Sequence, residues 1–220
     1  MSKIKNIDKI MQILKEKVKH FENPVATEIG EKTRSPYMVL ISCLLSLRTK
    51  DAVTAIASKK LFAKADTPKK ILKLNIKEIE KLIYPVGFYK TKAKRLKEIC
   101  KVLIENYNSR VPDSEEELLN LKGVGRKTMG IVMCYGFNKN SHIPVDSHVH
   151  QMSNRIGWVK TRTPEQTEQE LIKIIPKKHW HDLNDLLVKF GQNICVPVSP
   201  YCSKCVISKY CPKINIKKSR

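Results

Sequence analysis

Four cysteines crowd the last part of the chain, in CVPVSPYCSKCVISKYC. They are Cys195, Cys202, Cys205 and Cys211, spaced C-x6-C-x2-C-x5-C. Four thiolates ligate zinc tetrahedrally or hold an iron–sulfur cluster. Zinc sites tend to use two short C-x2–4-C knuckles, and this array has one. The longer gaps suit a larger body such as [4Fe–4S], while zinc stays open on spacing alone. The other three of the seven cysteines, Cys43, Cys100 and Cys134, lie in apolar helical stretches and are expected as core thiols.

Two glycines one residue apart stand in LKGVGRKT, residues 121–128. The stretch is neither a P-loop, whose G-x-x-x-x-G-K-[ST] spacing fails at Arg126, nor a dinucleotide fingerprint, whose third glycine is replaced by Thr128. What remains is helix, tight Gly-Val-Gly turn, helix. Gly123 can end a helix over 114–122 in the left-handed conformation, and a second helix over 126–137 then points backbone N–H groups outward. That is either a seat for one phosphate, with Lys122 and Arg126 adding charge, or an ordinary glycine-capped helix pair. Lys127 lies at the start of the second helix.

A carboxylate follows in PVDSHVH, residues 144–150. Asp146 can stabilise positive charge or move protons; it can also simply cap the helix whose apolar face is Val149, Met152 and Ile156. A metal site from Asp146, His148 and His150 is disfavoured, because i, i+2 and i+4 on a helix do not all converge.

These residues need a helical frame, and the chain supplies one. Ser35-Pro36, Thr67-Pro68 and Thr163-Pro164 each offer a cap followed by proline in the first turn. Asn75 with Glu78, and Ser114 with Glu117, have capping-box spacing. Residues 89–107 read as a long amphipathic helix with a basic outer face. Ile7, Ile10, Met11, Leu14, Val18 and Phe21 share one face of an N-terminal helix that is no secretory signal. About ten helices and no sheet are expected.

Lys and Arg total 42 against 21 acids, a formal net charge of +21 on 220 residues. Such self-repulsion points to a polyanionic partner, nucleic acid first, although a lysine-rich proteome would give the same excess. An anionic membrane is a weaker candidate, since no 18-residue apolar run is present to span one. With no secretory signal, a cytoplasmic setting is expected, where the thiols stay reduced.

Taken together, LKGVGRKT, PVDSHVH and the cysteine array resemble the endonuclease III family of helix-hairpin-helix, iron–sulfur DNA glycosylases. The likeness runs from SPYMVLISCLLSLRTKD to the final cysteine. It departs at Lys122, where the family usually has Pro, and at Met129, often Ala. The resemblance implies an all-α, two-lobed helix-hairpin-helix fold: a six-helix bundle over 29–138 with the hairpin, and a cluster domain from 1–28 and 139–220. It implies Lys127 as nucleophile and Asp146 as catalytic carboxylate, in a cleft between the lobes. Cys195, Cys202, Cys205 and Cys211 would hold a [4Fe–4S] cluster, and Lys204 and Lys209 beside them could meet the DNA backbone. DNA contacts are implied for Lys122, Gly123, Val124, Gly125, Arg126, Thr128 and His148.

Two further loops would open the duplex. Arg48 stands where many relatives have Gln, and Phe88 where Leu is common; Phe88 could equally be core. Gln151 stands where relatives often have Arg. The implied reaction is excision of oxidised or ring-saturated pyrimidines from duplex DNA and cleavage 3′ to the abasic site by β-elimination, in base excision repair. A mismatch-specific thymine, uracil or adenine glycosylase would share the fold but usually lacks the hairpin lysine. A non-catalytic DNA-binding protein would need only the hairpin and the basic surface, and a redox protein would explain only the cysteines. The partner is expected to be duplex DNA with a damaged base or abasic site, the protein a monomer near the nucleoid, and the source prokaryotic.

Overall fold

The computed structural model describes residues 6–220. These form twelve α-helices joined by turns, and no strand occurs among the described residues. Two compact units divide the chain: Val25–Lys139, and the residues up to Pro24 together with Asn140–Arg220. The N-terminal boundary falls at Pro24 rather than at residue 28, because a helix starts at Val25 and runs through that point.

In the second of these units, α1 (Ile7–Lys17) buries Ile7, Ile10, Met11 and Leu14 along one face. A single 3-10 turn, Val18–His20, ends it.

The unit Val25–Lys139 contains α2 (Val25–Thr33), α3 (Pro36–Ser46), α4 (Asp51–Lys64), α5 (Pro68–Lys73), α6 (Ile76–Ile83), α7 (Tyr89–Tyr107), α8 (Glu115–Asn120) and α9 (Arg126–Ile131). That is eight helices where a six-helix bundle was expected, since short capped segments such as α5 and α8 count separately. Helix α3 is apolar nearly all round, so it lies at the centre of the core with Leu40, Ile41 and Leu45 fully buried. Its start is set by Ser35, whose side chain accepts from the Met38 amide, and by Pro36 at the first helical position. Thr67 caps α5 in the same way. Asn75 and Glu78 form both halves of a capping box at α6, whereas Ser114 supplies only the forward half at α8.

The expected helix over 126–137 is α9 followed by a π turn, Val132–Gly136. The widening occurs where Gly136 meets Pro36: a Cβ there would come within 2.9 Å of Pro36 Cα.

The remaining helices are α10 (Ser147–Ile156), α11 (Pro164–Ile174) and α12 (Trp180–Asn193). They share a core with α1 in which Leu14, Val149, Met152, Leu171, Leu187 and Phe190 are fully buried. Arg155 and Gly157 end α10, and Gly157 takes φ +79° in the left-handed region. No helix among the described residues is long and apolar enough to cross a membrane.

Candidate active site and nucleic-acid contacts

Gly123 sits in the hairpin at φ +89°, a conformation costly for any side chain. The Gly125 backbone, at φ −102°, makes no such demand, and a Cβ there would meet no protein atom within 4 Å. The space over Gly125 opens to solvent. Between the two glycines, Val124 drops into the core at 6% exposure and anchors the turn. Thr128 is buried too, at 4%. Both were expected among the DNA contacts; their side chains face the core, so contact with nucleic acid would have to come through their backbone. Lys122, Arg126 and Lys127 are exposed. Lys122 pairs with Glu98 of α7 at 3.3 Å, and Arg95 reaches the same carboxylate at 3.5 Å. The Arg95 guanidinium lies against Gly123, so α7 braces the hairpin from behind.

Lys127 stands in the first turn of α9, above α3. Its ammonium is close enough to oppose the rise in pKa that burial imposes on Cys43, whose thiol is pushed up to about 12. Burial likewise pushes Cys100 up to about 11. Cys43, Cys100 and Cys134 are all core thiols.

In the same unit, the α3–α4 turn carries Arg48 and the α6–α7 turn carries Phe88. Both take left-handed backbone, φ +53° and +57°. Phe88 is 62% exposed, which removes the core reading. The Arg48 guanidinium lies 5.7 Å from the centre of the Phe88 ring, a cation–π distance. Beneath them Lys92 of α7 is buried and donates to Leu45 O, Leu47 O and Thr49 Oγ1. Burial lowers its pKa to about 8.

In the other unit, Asp146 is the N-cap of α10. Its Oδ1 accepts from the amides of His148 at 2.9 Å and Val149 at 2.8 Å. His148 is only partly exposed, and its ring lies against Gly191 of α12. His150 is engaged elsewhere: its Nδ1 is 2.6 Å from Thr167 Oγ1. Among the described residues no group of three or more His, Cys, Asp or Glu could hold a single metal ion, so an Asp146–His148–His150 metal site is not formed.

Cys195, Cys202, Cys205 and Cys211 all line one cavity, walled by Met152, Ile156, Phe190 and Ile207. The burial that this apolar wall brings pushes the Cys195 and Cys211 thiols up, and Cys205 to about 11. Donors offset that rise. Arg155, itself buried, gives one N–H to Cys195 Sγ at 3.3 Å, and the Lys213 amide points at Cys211 Sγ at 3.4 Å. The Arg155 guanidinium also serves the carbonyls of Cys195, Val196 and Pro197 at 2.7–3.0 Å. Four soft sulfurs about one dry cavity, with N–H donors aimed at two of them, fit an iron–sulfur cluster. Lys204 and Lys209 are exposed on this loop, each over its neighbouring tyrosine ring.

Sequence reasoning missed Lys92, Arg95 and Arg155. The signal for Lys92 was its place on the apolar stripe of α7 with Leu96, Ile99 and Leu103, where a lysine has no business unless paired. Arg155 falls likewise beside Met152 and Ile156 on the inner face of α10.

Comparison with known proteins agrees with this geometry. Residues 41–177 match the family described as HhH-GPD superfamily base excision DNA repair protein. The Endonuclease III of Thermotoga maritima is 46% identical over 202 residues, 92% of this chain and 92% of that protein. Among solved structures, a trapped endonuclease III–DNA covalent intermediate superposes with a TM-score of 0.84 at 30% identity, covering 97% of each chain. A thermostable thymine-DNA glycosylase reaches 0.81 at 30% identity, over 94% of this chain and 93% of that one. By the family match, by sequence identity and by fold, the chain belongs to the endonuclease III family of the HhH-GPD superfamily.

Proposed function

We propose that this glycosylase removes oxidised or ring-saturated pyrimidines from duplex DNA and then cleaves the strand 3′ to the abasic site. The observation that carries the reading is Lys127, an exposed amine in the first turn after the hairpin. Lys127 Nζ attacks C1′ of the damaged nucleotide. The C1′–N bond breaks, its electron pair leaves with the base, and the sugar opens to a Schiff base on the lysine. Loss of a C2′ proton then expels the 3′ phosphate, breaking the C3′–O bond. The Asp146 carboxylate stabilises positive charge on the sugar as the base departs, or carries protons. Its hydrogen bonds to the His148 and Val149 amides hold one oxygen in place for that task.

The hairpin binds a backbone phosphate. Gly123 makes the turn, the open space over Gly125 admits the strand, and Lys122 and Arg126 add charge. Arg48 and Phe88 enter the duplex as the target nucleotide leaves the stack, Phe88 as the wedge and Arg48 as donor to the orphaned base.

Cys195, Cys202, Cys205 and Cys211 would hold a [4Fe–4S] cluster, whose contribution is to cross-link the loop. Arg155 orients Cys195 and fixes its backbone and that of the two residues after it, while Ile207 and Phe190 keep the cavity dry.

Duplexes carrying one thymine glycol or one G·T mismatch test the substrate. Base release and strand cleavage at thymine glycol are expected. Release of thymine from the mismatch alone would move the protein to the mismatch-specific class, which the likeness to a thymine-DNA glycosylase structure keeps as the second reading.

A further inference from the structure

The turns that carry Arg48 and Phe88 meet over one buried lysine. Lys92 Nζ donates to Leu45 O at 2.7 Å, to Leu47 O at 2.6 Å and to Thr49 Oγ1 at 3.2 Å. An ammonium has three N–H donors, and each of them is matched. Leu45 and Leu47 lie at the C-terminal end of α3, where carbonyls lack partners within the helix and the dipole favours a cation. Thr49 Oγ1 passes the link on, accepting from the Gly87 amide at 3.1 Å. Gly87 is itself pressed against the first turn: a Cβ there would stand 2.6 Å from Arg48 O. The Lys92 amide, finally, donates to Phe88 O at 2.9 Å.

The ammonium therefore holds the first turn directly and reaches the second through Thr49 Oγ1, while its amide bond to Phe88 O is the ordinary first-turn bond of α7. An apolar residue of the same length would fill the space without taking a charge out of water. What the lysine adds is fixity, since it leaves neither turn able to move without the other. Arg48 and Phe88 lie directly above it, both in left-handed backbone that only surrounding contacts can hold.

We propose that Lys92 is a positioning residue, which fixes the two turns so that Arg48 and Phe88 enter duplex DNA as a single wedge. The inference rests on the reading of Arg48 and Phe88 as the residues that open the duplex, and it assigns Lys92 no contact with substrate.

The test compares two substrates under single-turnover conditions. A duplex with thymine glycol requires the base to leave the stack. A single-stranded oligonucleotide with a preformed abasic site needs only β-elimination. Lys92→Met is expected to slow excision from the duplex by about a hundredfold, the cost of a small misplacement, while cleavage of the single strand stays near the wild-type rate. Lys92→Arg, which keeps charged donors, should restore most of the duplex rate. In the wild type, 2-aminopurine opposite the lesion should brighten as the wedge enters, and the change should be lost in Lys92→Met. Thr49→Val removes the hydroxyl that accepts from both Lys92 and Gly87, while Lys92 keeps its bonds to Leu45 O and Leu47 O; it carries the test should Lys92→Met fail to fold, and the same bias against the duplex is expected. Equal rates on the duplex for these variants and wild type, or equal slowing on both substrates, would overturn the proposal. Arg48→Ala and Phe88→Ala run alongside. If both leave duplex excision unchanged, the wedge reading fails and the inference with it. If they slow it and Lys92→Met does not, the staple alone is wrong.

Discussion

Asp146 holds two positions at once. Its carboxylate caps α10, and the proposed chemistry asks the same group to answer charge on the sugar. The two roles separate by substitution. Asparagine is as good a cap as aspartate, so Asp146→Asn should melt within a few tenths of a kcal/mol of wild type while excision falls on the order of a hundredfold or more. Asp146→Ala should lose the cap as well, about 1 kcal/mol. Thermal melts and single-turnover rates on the three proteins decide it; an Asn variant at full rate would leave Asp146 a cap only.

The two hairpin glycines make a similar pair. Gly123→Ala forces a side chain into φ +89° and should cost about 1–2 kcal/mol. Gly125→Ala meets no protein atom and should cost roughly 0.5 kcal/mol, through its weaker capping. If a DNA strand passes over Gly125, that second variant should nonetheless bind duplex DNA markedly less well, as a filter or anisotropy titration would show. Unchanged affinity would remove Gly125 from the interface. Spacing along the chain made the hairpin, Asp146 and the four cysteines legible, because each motif is local. Whether Phe88 was core or surface was not legible. Its left-handed backbone carries no glycine to mark it, and its exposure is set by Gly87 packing on Arg48 O from a turn 39 residues away.

At the scale of elements, helix starts were readable from their caps: Ser35, Thr67, Asn75 and Thr163 all accept the amides their spacing promised. The π turn after α9 was not, because it depends on how closely Gly136 approaches Pro36. The same holds for long-range ties. Arg155 joins α10 to a loop 40 residues on; its place beside Met152 and Ile156 marks it as buried, but nothing local names its partners. Arg155→Met should strand three carbonyls and destabilise this unit by about 3 kcal/mol. If the four cysteines hold the proposed cluster, its absorbance should also fade faster in air than that of wild type. Wild-type stability in that variant would mean that the loop is held by its cysteines alone.

Across the whole molecule the excess of 42 basic over 21 acidic residues sets how the protein meets DNA. Salt bridges remove part of that excess locally, as Glu98 does beside Lys122, but an exposed pair of this kind is weak enough to yield to a phosphate. With about six phosphate contacts, affinity should fall on the order of a thousandfold between about 50 and 200 mM salt. A titration series flat in salt would contradict an interface built on lysine and arginine.

The proposed chemistry turns on one amine, Lys127. Purified protein is mixed with end-labelled duplex carrying a single thymine glycol, borohydride is added, and the products are run on a denaturing gel. A slow band of protein joined to DNA is expected, and Lys127→Ala should lose it while still retarding the same duplex on a native gel. A Lys127→Ala protein that traps as efficiently as wild type would contradict the account, since the Schiff base would then form on another residue.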